Sequence, residues 1–145
     1  MFLSERKLKE VFWKNYNYNN RALRYQFECA IREGKADLVT VEKYQEQIQF
    51  NSFEFKLSDI KKAIAQAKEN SEYVNKSWIV IPKAKETLIK DKYSNMLILL
   101  EYVGVITVED GGRWEMIFKP KFRTNVTLSQ EILKLMIIER RKYNK

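Results

Sequence analysis

Apolar and polar positions along the chain follow two rhythms, one helical and one alternating, and their succession predicts the fold class. SERKLKEVFWKNY carries Leu8, Val11 and Phe12 on one helical face, with Ser4 placed to cap it, and YNYNN ends that helix. RYQFECAIREGKADLV fits a helix through Leu23, Phe27 and Ile31. Tyr25, Phe27, Cys29 and Ile31 also alternate cleanly with Gln26, Glu28, Ala30 and Arg32, and this second pattern predicts a strand. A turn at Glu33-Gly34-Lys35 leads into the β-branched ADLVTV, a second strand. Residues 48–57 form a third, with Ser52, Glu54 and Lys56 on one face and Phe53, Phe55 and Leu57 on the other. SDIKKAIAQAKEN then reads as a helix capped by Ser58, with Asp59 at its positive end and Ile60, Ala63, Ile64 and Ala67 inward. SWIVIP is a short strand stopped by Pro82.

Beyond it, KAKETLIKDKYSNMLILLEYVG predicts a helix ending at Gly104, and VITVE and RWEMIFKP flank Asp110-Gly111-Gly112 as a hairpin. Thr127 and Gln130 form a capping box for a last helix whose apolar positions are Leu128, Ile132, Leu135 and Met136. The expected architecture is α/β (α+β), a single domain over 1–145. Its αβββαβ core covers about 4–82, with a mixed central sheet flanked by helices, and a C-terminal helix-hairpin-helix extension covers about 83–145. A helix followed by a hairpin also resembles the end of a winged-helix module.

Composition narrows the chemistry. The chain has 145 residues, 45% of them hydrophobic, enough for one core. Its 27 Lys and Arg against 19 Asp and Glu give a net charge of +8, which favours an anionic partner such as nucleic acid. There is no histidine, so imidazole acid-base and Ser-His or Cys-His catalysis are excluded, and any metal must be held by oxygen. The lone Cys29, between Phe27 and Ile31, reads as core and allows no internal disulfide. No run is long enough to span a membrane, and MFLSERKLKE lacks a signal core, so a cytoplasmic location is expected.

The candidate chemistry lies where two predicted strands end. Asp37 opens one, and Glu54-Phe55-Lys56 closes another seventeen positions later, so two carboxylates and an ammonium can converge. This pattern, with a helix after the E-x-K, resembles the PD-(D/E)XK nuclease superfamily, the restriction-endonuclease-like fold of junction resolvases and of repair and mobile-element nucleases. The resemblance covers about residues 5–82.

The resemblance implies a metal-dependent endonuclease acting on DNA, with Mg2+ or Mn2+ held by Asp37, Glu54 and the Phe55 carbonyl. Lys56 would stand beside the attacked phosphate. Glu5 is similar to the first-helix glutamate of the junction-resolving branch and competes with Glu10 and Glu28 to complete the metal shell. Gln66, with Tyr73, resembles the glutamine that supports the catalytic cluster in some branches. Lys61, Lys62, Lys119, Lys121 and Arg123, together with Arg113, are candidate phosphate contacts. The partners expected are DNA and, for the chain itself, a second copy as a homodimer. Two other classes fit the same charge: a nucleic-acid-binding protein without catalysis, and an interaction domain for an acidic protein.

Overall fold

The computed structural model describes residues 1–135. The elements follow in the order α1 (Glu5–Tyr16), β1 (Ala22–Arg32), β2 (Gly34–Tyr44), β3 (Gln47–Phe55), α2 (Ile60–Asn70) and β4 (Lys76–Pro82). An irregular helical stretch then covers 83–99, made of successive turns at Lys83–Lys85, Glu86–Leu88, Ile89–Tyr93 and Ser94–Leu99. It is followed by β5 (Val103–Val108), β6 (Trp114–Phe118) and a helical segment at 130–135. Met136, expected on the last helix, lies outside the described residues.

One six-stranded mixed sheet holds all the strands, in spatial order β1 to β6. β1, β2 and β3 pair antiparallel, β3, β4 and β5 run parallel, and β6 returns antiparallel to β5. The β5–β6 hairpin is therefore part of the central sheet and not an appended extension or the wing of a helical module. Gly104, expected to end a helix, lies within β5 because the helical stretch stops at Leu99. A side chain at Gly104 would come within 2.6 Å of the Phe118 carbonyl oxygen and 2.8 Å of the Trp78 ring, so a glycine is required there.

Helices cover both faces. Leu8, Phe12 and Tyr16 of α1 pack on Leu38, Phe53, Phe55, Trp78, Val80, Ile106 and Val108. The Phe12 ring lies 5.6 Å from Phe53 and 5.7 Å from Phe55, in the tilted and edge-on arrangements aromatic pairs prefer. On the other face, Ile60, Ala63, Ile64 and Ala67 of α2 join Ile89 and Leu97 against Ile79, Ile81, Val103 and Val105. Ile132 and Leu135 cover Val39, Val41 and Phe50 on the β1–β3 half. Parallel strands under helices on both sides must be apolar throughout, which is why β4 is buried from Ser77 to Ile81.

Two expected caps shift by one or two residues. Asp59, not Ser58, accepts from the Lys62 amide at the start of α2. Ser129, not Thr127, accepts from the Ile132 amide at the last helix, while the Thr127 amide is tied to the Glu72 carbonyl. Ser4 caps α1 by accepting from Lys7.

Strand direction sorts the molecule into two rims. β3, β4 and β5 end at Phe55, Pro82 and Val108, and β2, running oppositely, begins beside Phe55. These ends form the carboxyl rim. The starts of β4 and β5 and the end of β6 form the amino rim. At the amino rim Glu42 is buried, and its carboxylate accepts from Tyr16 at 2.8 Å and Thr40 at 2.6 Å and pairs with Arg21 at 3.6 Å. A buried acid with three partners is an internal strut.

Candidate active site

The β2–β3 ladder runs as far as Leu38 opposite Phe53, and one further step of that register sets Asp37 opposite Glu54. There the side chains take over the bonding. The Asp37 amide donates to Glu54 Oε2 at 3.2 Å, and the Phe55 amide donates to Asp37 Oδ2 at 2.9 Å. Each carboxylate thus fastens the other's strand, and the two acids are locked together at the carboxyl rim. Neither Asp37 Oδ1 nor Glu54 Oε1 takes part in these bonds.

The sequence pattern assigns Glu54 to an exposed strand face. The structure places it 1% exposed, because α2 packs over that face and makes β3 an interior strand. Burial and the nearby Asp37 charge raise its carboxyl from the ordinary 4.5 to about 7, opposed by hydrogen bonds from Asn70 and Asp37 and by Arg32. Burial also raises Asp37. The Phe55 amide, Lys56 and Lys9 lower it and Glu5 raises it, so the Lys56 ammonium and the start of α1 both bear on this acid.

The residue of α2 that reaches the pair is Asn70, whose side-chain amide donates to Glu54 Oε2 at 2.8 Å. Its carbonyl accepts from Arg32 Nε at 2.6 Å, and Arg32 also pairs with Glu69 at 3.2 Å. Gln66, the expected supporting amide, sits one helical turn earlier, half-buried, with its Oε1 buried and unbonded. Asn70 continues the buried stripe of Ile60, Ala63 and Ala67, a spacing present in the sequence that does not say which polar residue of α2 meets the pair. Arg32 carried no local sign of its role, since it lies at the far end of a hairpin. Tyr73 packs against the core beside Val74, and the pair's hydrogen bonds run to each other's strands and to Asn70.

Among the described residues no group of three or more Asp, Glu, Cys or His side chains gathers to hold a metal. Glu5 acts on Asp37 only through its charge, Glu10 pairs with Arg6, and Glu28 is exposed on β1. The donor set near the rim is therefore two carboxylates, each with one oxygen outside the clasp, joined by whatever backbone carbonyl is in reach. Burial raises both acids and the Asp37 charge raises Glu54 further, and a hard divalent cation suits such a pair because its charge favours the ionised carboxylates.

The candidate phosphate contacts divide between the rims. Lys61 and Lys62 are exposed on the first turn of α2, on the same rim as Lys56 and the acid pair. Lys119, Lys121 and Arg123 follow β6 and lie at the amino rim, where the Lys121 amide bonds Glu101 and the Arg123 amide bonds Asn75. The Arg123 guanidinium lies 4.1 Å over the Tyr102 ring, and its Nε is buried. The five candidate contacts therefore do not lie together, because strand direction carries the three after β6 to the rim opposite Glu54. Arg113, in the β5–β6 turn, faces Glu109 at 3.8 Å. Cys29 is fully buried, and burial raises its thiol to about 11, which makes it inert core.

No known family matches the sequence, and no curated protein does. A solved protein of unknown function from Silicibacter pomeroyi superposes with a TM-score of 0.61 at 13% identity, covering 99% of this chain and 91% of that one. At that identity the likeness is one of fold. No helix among the described residues is long and apolar enough to cross a membrane.

Proposed function

We propose that the protein is a metal-dependent deoxyribonuclease of the PD-(D/E)XK type, with the α1-β1-β2-β3-α2-β4 unit as a restriction-endonuclease-like core. The observation that carries this reading is the reciprocal clasp of Asp37 and Glu54 at adjacent strand ends, with the ammonium of the E-x-K lysine acting on Asp37. Asp37 and Glu54, with the Phe55 carbonyl, would hold Mg2+ or Mn2+. When bound, the ion supplies charge neutralisation at the phosphate and a more acidic water.

The chain's own residues do the rest. Asn70 and Arg32 hold Glu54 in one orientation, so its free oxygen is presented without a rotamer search. Lys56 places a positive charge where the phosphate gains negative charge during attack. Lys61 and Lys62 extend that positive field along the rim and guide the backbone toward it.

Purified protein is expected to nick or cut plasmid or branched DNA with Mg2+ or Mn2+ and to stop on chelation. Asp37→Asn and Lys56→Ala should each lower the rate by about 10²-fold or more while DNA affinity holds. Cleavage that survives chelator, or is untouched by Asp37→Asn, overturns the assignment. Metal-independent DNA binding with no cleavage of any substrate would favour a binding protein on the same fold.

A further inference from the structure

Along the carboxyl rim from the acid pair, past Leu57, lies a cavity of about 740 Å³ between the N-terminal segment, the end of β4 and the β5–β6 turn. Its wall is largely apolar, formed by Phe2, Leu57, Pro82, Ala84 and Val108; Lys83 and Lys85 also line it, as do Asp110, paired with the N-terminal amine, and Glu109, paired with Arg113. Nothing in the clasp or the expected phosphate track uses it. Its volume falls in the range that takes a small organic ligand, roughly 300–1,000 Å³.

We propose that this cavity receives one unpaired nucleotide of the DNA strand whose phosphate lies at Asp37 and Glu54. The proposal rests on the nuclease reading and deepens it by naming the substrate class, a single-stranded end or flap in preference to fully paired duplex. The argument is geometric and chemical. Leu57 lines the cavity and directly follows Lys56, so the cavity wall begins one residue past the lysine of the E-x-K, and a strand turning over the carboxyl rim from the acid pair would meet it. A base inside a duplex offers only its edge, whereas an unstacked base can lay its face on an apolar wall. Both acids of the lining already have cationic partners, so the lysines set the charge that the attached phosphate meets. Lys83 is already shared by Glu86 at 2.6 Å and Glu115 at 3.6 Å, which leaves Lys85 as the cation to meet it.

The test reads binding in chelator, so that it does not depend on cleavage. Fluorescence anisotropy compares a single-stranded oligonucleotide, a duplex with a short single-stranded overhang and a blunt duplex on the full chain. The overhang and the single strand should bind about tenfold tighter than the blunt duplex, the weight of one base stacked on a wall. Ala84→Trp, at an exposed position on the rim of the cavity, should fill it and erase that preference without changing blunt-duplex affinity. Lys85→Ala should reduce the preference without filling the space. Equal binding of all three DNAs by the parent, or a preference that survives Ala84→Trp, overturns the proposal. A preference without cleavage of any DNA would leave the cavity standing and sink the nuclease reading. Cleavage without the preference would do the reverse.

Discussion

Glu54 is 1% exposed and within hydrogen-bond reach of the strand that carries Asp37, so its charge has little water to spread into. Its carboxyl holds a proton up to about 7, above the ordinary 4.5. Between those values the folded chain keeps a proton that the unfolded chain has released. Stability conferred by the protonated form is therefore full below about 4.5 and lost as pH rises toward 7. In chelator, the melting temperature should fall over that window, and Glu54→Gln should flatten the fall and raise the melting point at pH 8. A parent melting curve unchanged between pH 5 and 8 would show that Glu54 ionises normally. On the proposed function a divalent cation would displace the same proton, so Mg2+ or Mn2+ affinity measured by calorimetry should rise with pH up to about 7 and then level.

At the scale of elements, the support for Glu54 comes from the last residue of α2 and the last residue of β1. Asn70→Ala would leave Glu54 Oε2 with the Asp37 amide alone and strip Arg32 Nε of its acceptor. A loss of about 1–3 kcal/mol in denaturant unfolding is expected, together with a further rise in the pH at which Glu54 releases its proton, because the Asn70 bond lowers it. Gln66→Ala should do neither. The sequence order of helix, three strands, helix and strand was legible from helical stripes and alternation, and β1, whose residues fit both patterns, was correctly read as a strand from its alternation. The choice between Gln66 and Asn70 was not legible. They lie one turn apart on one side of α2, and only the angle at which the helix crosses the sheet decides which meets Glu54. The irregular turns of 83–99 were equally hidden, since an apolar helical pattern carries no mark for where the chain leaves it, and Gly104 has a strand role that resembles a stop signal.

For the whole molecule, strand direction decides which charges can act together. The +8 charge carries no direction in the sequence, and basic residues after the hairpin read as near to the E-x-K as those after β3. In the fold, β6 runs back to the amino rim. The span of β3 from Asn51 to Phe55, about 13 Å at 3.3 Å per residue, separates the two levels. That is more than a Debye length at physiological salt, about 8 Å, so exposed charges on the two rims are largely screened from one another. DNA lying along the carboxyl rim, as the proposed function has it, would meet Lys61 and Lys62 directly and leave Lys119 and Lys121 at the other rim. The Lys61→Ala, Lys62→Ala double variant should weaken binding and make the dependence of log affinity on log salt shallower by about two units. The Lys119→Ala, Lys121→Ala pair removes the same charge from the other rim and should leave that slope at the parent value. Equal losses from both pairs would mean that the strand wraps the sheet from rim to rim, and the footprint at the carboxyl rim alone would be wrong.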